Sequence, residues 1–231
     1  MIETYKSRVI ALRKEMGLSE NELQEKLKSA LSENGAPEAS AFQLAAWTAT
    51  PSVTFSALPP VSALPYIAAA LETNIGYLFG LNDVREMTND RLTLAIDIET
   101  CAEEYKQKHG GNSIWKDGVV HNQWYLNVKR KENKKLFIKP FIELSKALDW
   151  DVDYILGLSD VKHWQYYCLT HQLLDRLPEG TRFLLDDKKT IATLGANGNF
   201  DVLKDGLSLQ IDLEQMLKRD PKIICGYELL D

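Results

Sequence analysis

The sequence is short of cysteine, of long apolar runs and, over residues 29 to 90, of positive charge, and each shortage narrows the possible functions. Its three cysteines, Cys101, Cys168 and Cys225, lie 67 and 57 residues apart. An odd, widely spaced set cannot form a dense disulfide frame or clip a metal at short range, so buried reduced thiols are expected. No stretch approaches the roughly 18 to 20 apolar residues of a membrane span, and MIETYKSRV lacks the apolar core of a signal peptide. The expectation is a cytoplasmic chain without a membrane partner.

Enzyme signatures fail on spacing. GANGN (195–199) lacks the Lys-Ser/Thr of a phosphate loop and reads as a turn. Asp186 and Asp187 are adjacent, so on a strand they face opposite ways and cannot form a joint acid/base pair. His109, His121, His163 and His171 show no HExxH; His163 and His171, eight apart, give only a weak metal hint. No nucleophile is flanked by a recognisable base, so neither catalytic residue, metal nor cofactor is expected.

What is present is the composition of a folded chain, 45% hydrophobic and 26% charged, with a length that suits two or three small domains. The net charge of −6 hides a segregation. Residues 29 to 90 carry one basic residue, Arg85, against six acids, whereas residues 116 to 146 carry eight basic residues against three acids. One face can therefore attract phosphate while the molecule stays acidic.

The chain also repeats itself. YLFGLNDV (77–84) returns as YILGLSDV (154–161), and the same 77-residue offset places Trp47 on Trp124, Ala70 on Ala147, Leu71 on Leu148, Gly80 on Gly157 and Asp83 on Asp160. A shared offset over some 38 residues implies one supersecondary unit built twice. Leu64, Ile67 and Leu71 recur at helical spacing, as do Phe141, Leu144 and Leu148. Asn74 and Asp151 are placed to cap a last short helix in each copy, and Gly80 and Gly157 to end it. At the start of copy one, Val9, Leu12 and Met16 line a first helix, Gly17 breaks it, and Ser19 with Glu22 forms a capping box for a second bearing Leu23 and Leu27. With a third helix ending at Trp47, the pattern is a five-helix bundle.

LRKEMGLSENELQEKL, the Trp closing the third helix, and the endings YLFGLND and FIKPFIELSKALDWDVDYILGLSD resemble the lambda-repressor/Cro type of helix-turn-helix domain, over roughly residues 5 to 161 as a tandem pair. The expected fold class is mainly α: two tandem five-helix lambda-repressor-like domains (1–86 and 87–161), followed by a small α+β domain (162–231). Copy one has a longer connection between its second and third helices, and copy two, somewhere in NDRLTLAIDIETCAEEYKQKHG, shows no glycine turn.

In the resembling family the third helix enters the major groove. Carried over, that helix is residues 39 to 47 in copy one and 116 to 124 in copy two. Copy two offers Lys116, His121, Asn122 and Gln123 for base edges, then Lys129, Arg130, Lys131, Lys134 and Lys135 for phosphates. Copy one offers Ser40 and Gln43, with Thr48 and Thr50; Arg8, Arg13, Lys14, Lys26 and Lys28 are its nearby phosphate candidates.

Beyond residue 161, KHWQYYCLTHQLLDRL reads as a connecting helix. RFLLDD, KKTIATL, FDVLKD and KIICGYELL read as strands, GANGN as a hairpin loop and IDLEQMLKR as a helix. The function expected is a sequence-specific regulator of transcription that binds double-stranded DNA, dimerised through residues 162 to 231. The alternative is a phage-type inhibitor or protein-interaction module, such as an anti-CRISPR protein, whose acidic first copy meets a basic protein partner.

Overall fold

The computed structural model describes residues 1–36, 38–50, 58–85, 91–130, 136–163, 179–184, 191–195, 199–204, 207–212 and 228–230. The chain is mainly helical and divides into two compact units, Met1–Ser159 and Asp160–Asp231.

The first unit begins with α1 (Ile2–Glu15) and α2 (Glu20–Glu33), separated at Gly17, whose φ of 68° is the left-handed conformation that glycine adopts at least cost. Ser19 and Glu22 close the expected capping box: the Ser19 hydroxyl accepts the Glu22 amide and the Glu22 carboxylate accepts the Ser19 amide. These hydrogen bonds hold the Glu22 carboxyl below its usual range. Next come α3 (Ala41–Trp47), a 3-10 turn (Val61–Ala63), α4 (Leu64–Ala70) and α5 (Ile75–Leu78). Tyr5 joins them, donating its buried hydroxyl to the Trp47 carbonyl at 2.7 Å and stacking on Phe79.

The second half of this unit holds α6 (Ile98–Lys108), α7 (Asn122–Lys129), α8 (Ile138–Leu148) and α9 (Val152–Ile155). This differs from the five helices expected of copy two. Residues 92–97 precede α6 without helix, and Ala95 donates its amide to the Leu156 carbonyl. Leu92, Leu94 and Ile96 are half-buried and alternate with exposed residues, the period of extended chain rather than helix. Only α6 therefore precedes α7 among the described residues.

Several features recur at the expected spacing. Glu72 and Asp149, each just past the helix before, both take positive φ (52° and 61°), and Gly80 and Gly157 do so at 72° and 71°. Asn74 caps α5 by accepting the Tyr77 amide at 2.7 Å. Asp151 occupies the same position before α9 but makes no capping hydrogen bond there; its carboxylate accepts Asn82 Nδ2 instead. The register shifts by one residue further upstream: the N-caps Ser19 and Asp97 are 78 apart, and so are the buried pairs Leu23/Cys101 and Leu27/Tyr105. One apolar core runs through the whole unit, from Tyr5, Val9 and Leu12 through Leu64, Ile67 and Leu71 to Phe141, Leu144 and Leu148. Cys101 is buried in it as a free thiol; Cys168 and Cys225 lie outside the described residues.

The second unit contains an antiparallel five-stranded sheet in the order β4-β3-β2-β1-β5, with β1 (Arg182–Leu184), β2 (Ile191–Leu194), β3 (Asn199–Lys204), β4 (Leu207–Asp212) and β5 (Glu228–Leu230). β2 and β3 pair antiparallel across GANGN, with Leu194 opposite Phe200. The helix expected over IDLEQMLKR is corrected at its start: Ile211 and Asp212 end β4, opposite Phe200 and Asn199. The alternating LSLQI ahead of them fits a strand face better than a helical turn. The expected connecting helix over 162–177 lies outside the described residues except for residues 162 and 163, and Asp186 and Asp187 lie wholly outside them.

Candidate nucleic-acid interface

The helix expected over 116–124 starts later. Gly118 has φ 73°, Val120 donates its amide back to the Ile114 carbonyl, and residues 114–120 form turns, so Lys116 sits on an exposed loop. Helix α7 begins at Asn122, and Trp124 lies in its first turn, whereas Trp47 ends α3. The shared offset of the two tryptophans is therefore not a shared place in a helix. A left-handed glycine followed by two β-branched valines resists helix, and the first capable cap is His121.

His121 Nδ1 accepts the Gln123 amide at 3.2 Å, which leaves the ring proton on Nε2. His121, Asn122 and Gln123 are all exposed, and Gln123 Nε2 donates to Asn127 Oδ1 one turn on. The opposite side of α7 is anchored: Trp124 packs edge-on against Phe141, Tyr125 lies against Trp115, and Val128 is buried. This packing fixes which residues face outward.

The cations sort into two groups. Arg8 donates to the carbonyls of Tyr77 and Asn82, pairs with Asp83 and lies over the Tyr77 ring. Arg13 pairs with Glu20, Lys26 with Glu72, Lys28 with Glu25 and Arg85 with Glu15. Lys129 pairs with Glu99, whose hydrogen bond and charge raise the ammonium above its usual range. By contrast, Lys14 on α1 and Lys116, Arg130, Lys139 and Lys146 in the second half have no acidic partner among the described residues, and all are exposed. Lys131, Lys134 and Lys135 lie outside the described residues.

Lys139 and Lys146 were not singled out as contacts from the sequence. Their spacing of seven, two turns along α8, was the available signal. They line an open groove of about 650 Å³ between residues 118–121 and α8, together with Pro140, Glu143 and Ala147.

On copy one, Ser40 and Gln43 are engaged with each other. The Ser40 hydroxyl accepts the Gln43 amide at 3.3 Å, and the Gln43 side-chain oxygen accepts the Ser40 amide at 2.9 Å, so α3 starts at Ala41 rather than residue 39. Thr48 is corrected as a contact: it is buried and donates its hydroxyl to the Leu44 carbonyl. Thr50 accepts from Gln24 Nε2. Between α2 and α3 lie residues 34–40, a longer link than the three or four residues of a compact helix-turn-helix. Phe42, 58% exposed, is the large apolar side chain on the outer face of α3.

No helix among the described residues is long and apolar enough to cross a membrane. Compared with protein-family models, with curated proteins and with solved structures, the chain matches none.

Proposed function

We propose that this protein is a sequence-specific regulator of transcription that binds double-stranded DNA in the cytoplasm, built on two tandem units of the lambda-repressor/Cro plan. The observation that carries this reading is the exposed His121-Asn122-Gln123 turn, bordered in sequence by Lys116 and Arg130 and, across the groove at His121, by Lys139 and Lys146, four cations without an acidic partner among the described residues. Amide side chains at the start of a helix have the paired donors and acceptors that suit adenine in the major groove, and unpaired cations suit phosphates. Lys131, Lys134 and Lys135 extend the same basic stretch in sequence. The left-handed turns at a 77-residue spacing and the packing of α5 on α9 support a duplicated unit whose halves imitate a two-fold pair. Copy one, whose local cations other than Lys14 are paired, contributes little phosphate binding. A homodimer through residues 162 to 231 would pair edge strands of the sheet, β4 or β5.

Selection from random duplexes at several salt concentrations tests the reading. The expected result is one enriched sequence, altered by Asn122→Ala or Gln123→Ala, with binding abolished by Arg130→Glu together with Lys131→Glu. Retention of no duplex at any salt would overturn it.

A second reading has its own support. Phe42 is exposed on the half of the chain that is poor in free cations, the arrangement of a contact for a basic protein partner, as in a phage-type inhibitor such as an anti-CRISPR protein. Fold alone does not choose between these classes.

A further inference from the structure

We propose that the groove between residues 118–121 and α8 is a phosphate-ester site, in which Lys139 and Lys146 hold the oxyanion, His121 Nε2 donates to it, and Val119, Val120, Pro140 and Ala147 cover the attached sugar or base. At about 650 Å³ it is within the range of small-ligand sites, and it combines apolar walls with a few polar groups.

Three observations converge. The two ammonium groups are two turns apart on one face of α8 and pair with no acid among the described residues, unlike Lys129, Lys26 or Arg85. Lys139 stands in the first turn of α8, where the helix dipole disfavours a cation and that turn holds no acid. Such a placement opposes helix stability, which a bound anion would reverse. The His121 ring is fixed by its own cap, since Nδ1 accepts the Gln123 amide and Nε2 keeps the proton as a donor. Glu143 is the acid that lines the groove among the described residues, and it limits the positive field.

The chemistry has two possible sources, the phosphodiester of a DNA strand or a free nucleotide. The inference draws on the DNA reading only for the first. In that case α8 clamps the backbone while Asn122 and Gln123 reach the bases. In the second, a nucleotide held beside His121 would occupy the approach to the same turn.

The test uses the full chain, a labelled random duplex and adenosine monophosphate as separate probes, and the variants Lys139→Gln/Lys146→Gln, Glu143→Gln and, as a control, Lys106→Gln, which removes an exposed lysine already paired with Glu103. All four positions are exposed, so loss of fold is not expected, and Glu143→Gln provides a gain that unfolding cannot mimic. If the occupant is the DNA backbone, the double variant loses about tenfold or more in duplex affinity, the slope of log affinity against log salt falls by about two, and Glu143→Gln strengthens binding. If the occupant is a free nucleotide, the nucleotide binds the unaltered chain, weakens about tenfold in the double variant and strengthens with Glu143→Gln, whether or not duplex is bound. Duplex binding that the double variant leaves unchanged, without nucleotide binding, overturns the groove assignment and leaves the DNA reading standing. Nucleotide binding without duplex binding does the reverse, and binding of neither probe overturns both.

Discussion

The carboxylate of Asp153 accepts the backbone amide of Gly76 at 2.8 Å, joining the starts of α9 and α5 across 77 residues of chain. Its other oxygen accepts the Ile75 amide at 3.0 Å, so one buried acid satisfies two of the free donors at the start of α5.

Burial pushes the Asp153 carboxyl up from 3.8 to about 6, with Asp151 adding to the rise and the two amides opposing it. Because the folded value is above the unfolded one, the proton stays bound in the fold after the unfolded chain has lost it. The contribution to stability is thus full below about pH 4 and is lost as pH rises to about 6, a change on the order of 3 kcal/mol. Urea unfolding of the natural chain and Asp153→Asn across this window should give a difference in stability that falls steadily with rising pH. Parallel curves would mean that Asp153 titrates at its ordinary value.

Gly157 and Gly17 share a left-handed φ, 71° and 68°, but not their surroundings. A Cβ at Gly17 would meet open space, whereas at Gly157 it would collide with the Ala95 backbone carbonyl, beside the hydrogen bond from Ala95 to Leu156. Gly17→Ala is expected to cost about 1 kcal/mol for the backbone conformation alone. Gly157→Ala should cost about 3 kcal/mol or more, because a backbone segment has to move. Equal losses in denaturant titration would show that the extended segment before α6 yields freely.

What could be read from the sequence follows from how local each signal is. The Ser19-Glu22 box, the Asn74 cap and the left-handed glycines Gly17, Gly80 and Gly157 depend on a few consecutive residues, and each is found in place. The start of α7 was not legible from the repeat, because a tryptophan fills core space equally well at either end of a helix; the local signals, Gly118 and the His121 cap, outweigh it. The Asp153 contact was also hidden. Its partners are backbone amides far away in sequence, and no residue pattern announces that an acid at the Gly76-equivalent position will turn across the interface. Of the proposed contact residues, His121, Asn122 and Gln123 were named from the sequence and prove exposed, while the unpaired state of Lys139 and Lys146 required the fold.

Ser40 separates a capping role from a reading role. Its hydroxyl serves the Gln43 amide, so Ser40→Ala should destabilise the first unit by about 1 kcal/mol. Duplex affinity should stay within twofold, since the Ser40 hydroxyl is already engaged by its own helix. A loss of affinity much larger than the loss of stability would return Ser40 to the list of DNA contacts.

Lys129 and Arg130 are neighbours with different electrostatic situations. Lys129 is committed to Glu99, while Arg130, at the end of α7, has no acidic partner among the described residues. To contact phosphate, Lys129 must first give up its carboxylate, and the gain is correspondingly small. Arg130 carries no such cost and presents a fork suited to phosphate oxygens. Arg130→Gln is therefore expected to weaken duplex binding several-fold, equally for all sequences, and to reduce the salt slope by about one. Lys129→Gln should change affinity by less than about half as much on a logarithmic scale, because the Lys129 ammonium is already engaged by Glu99 and has little phosphate contact to lose. Anisotropy titrations at low and high salt would decide the order; a larger effect at Lys129 would show that its pairing with Glu99 opens when DNA arrives.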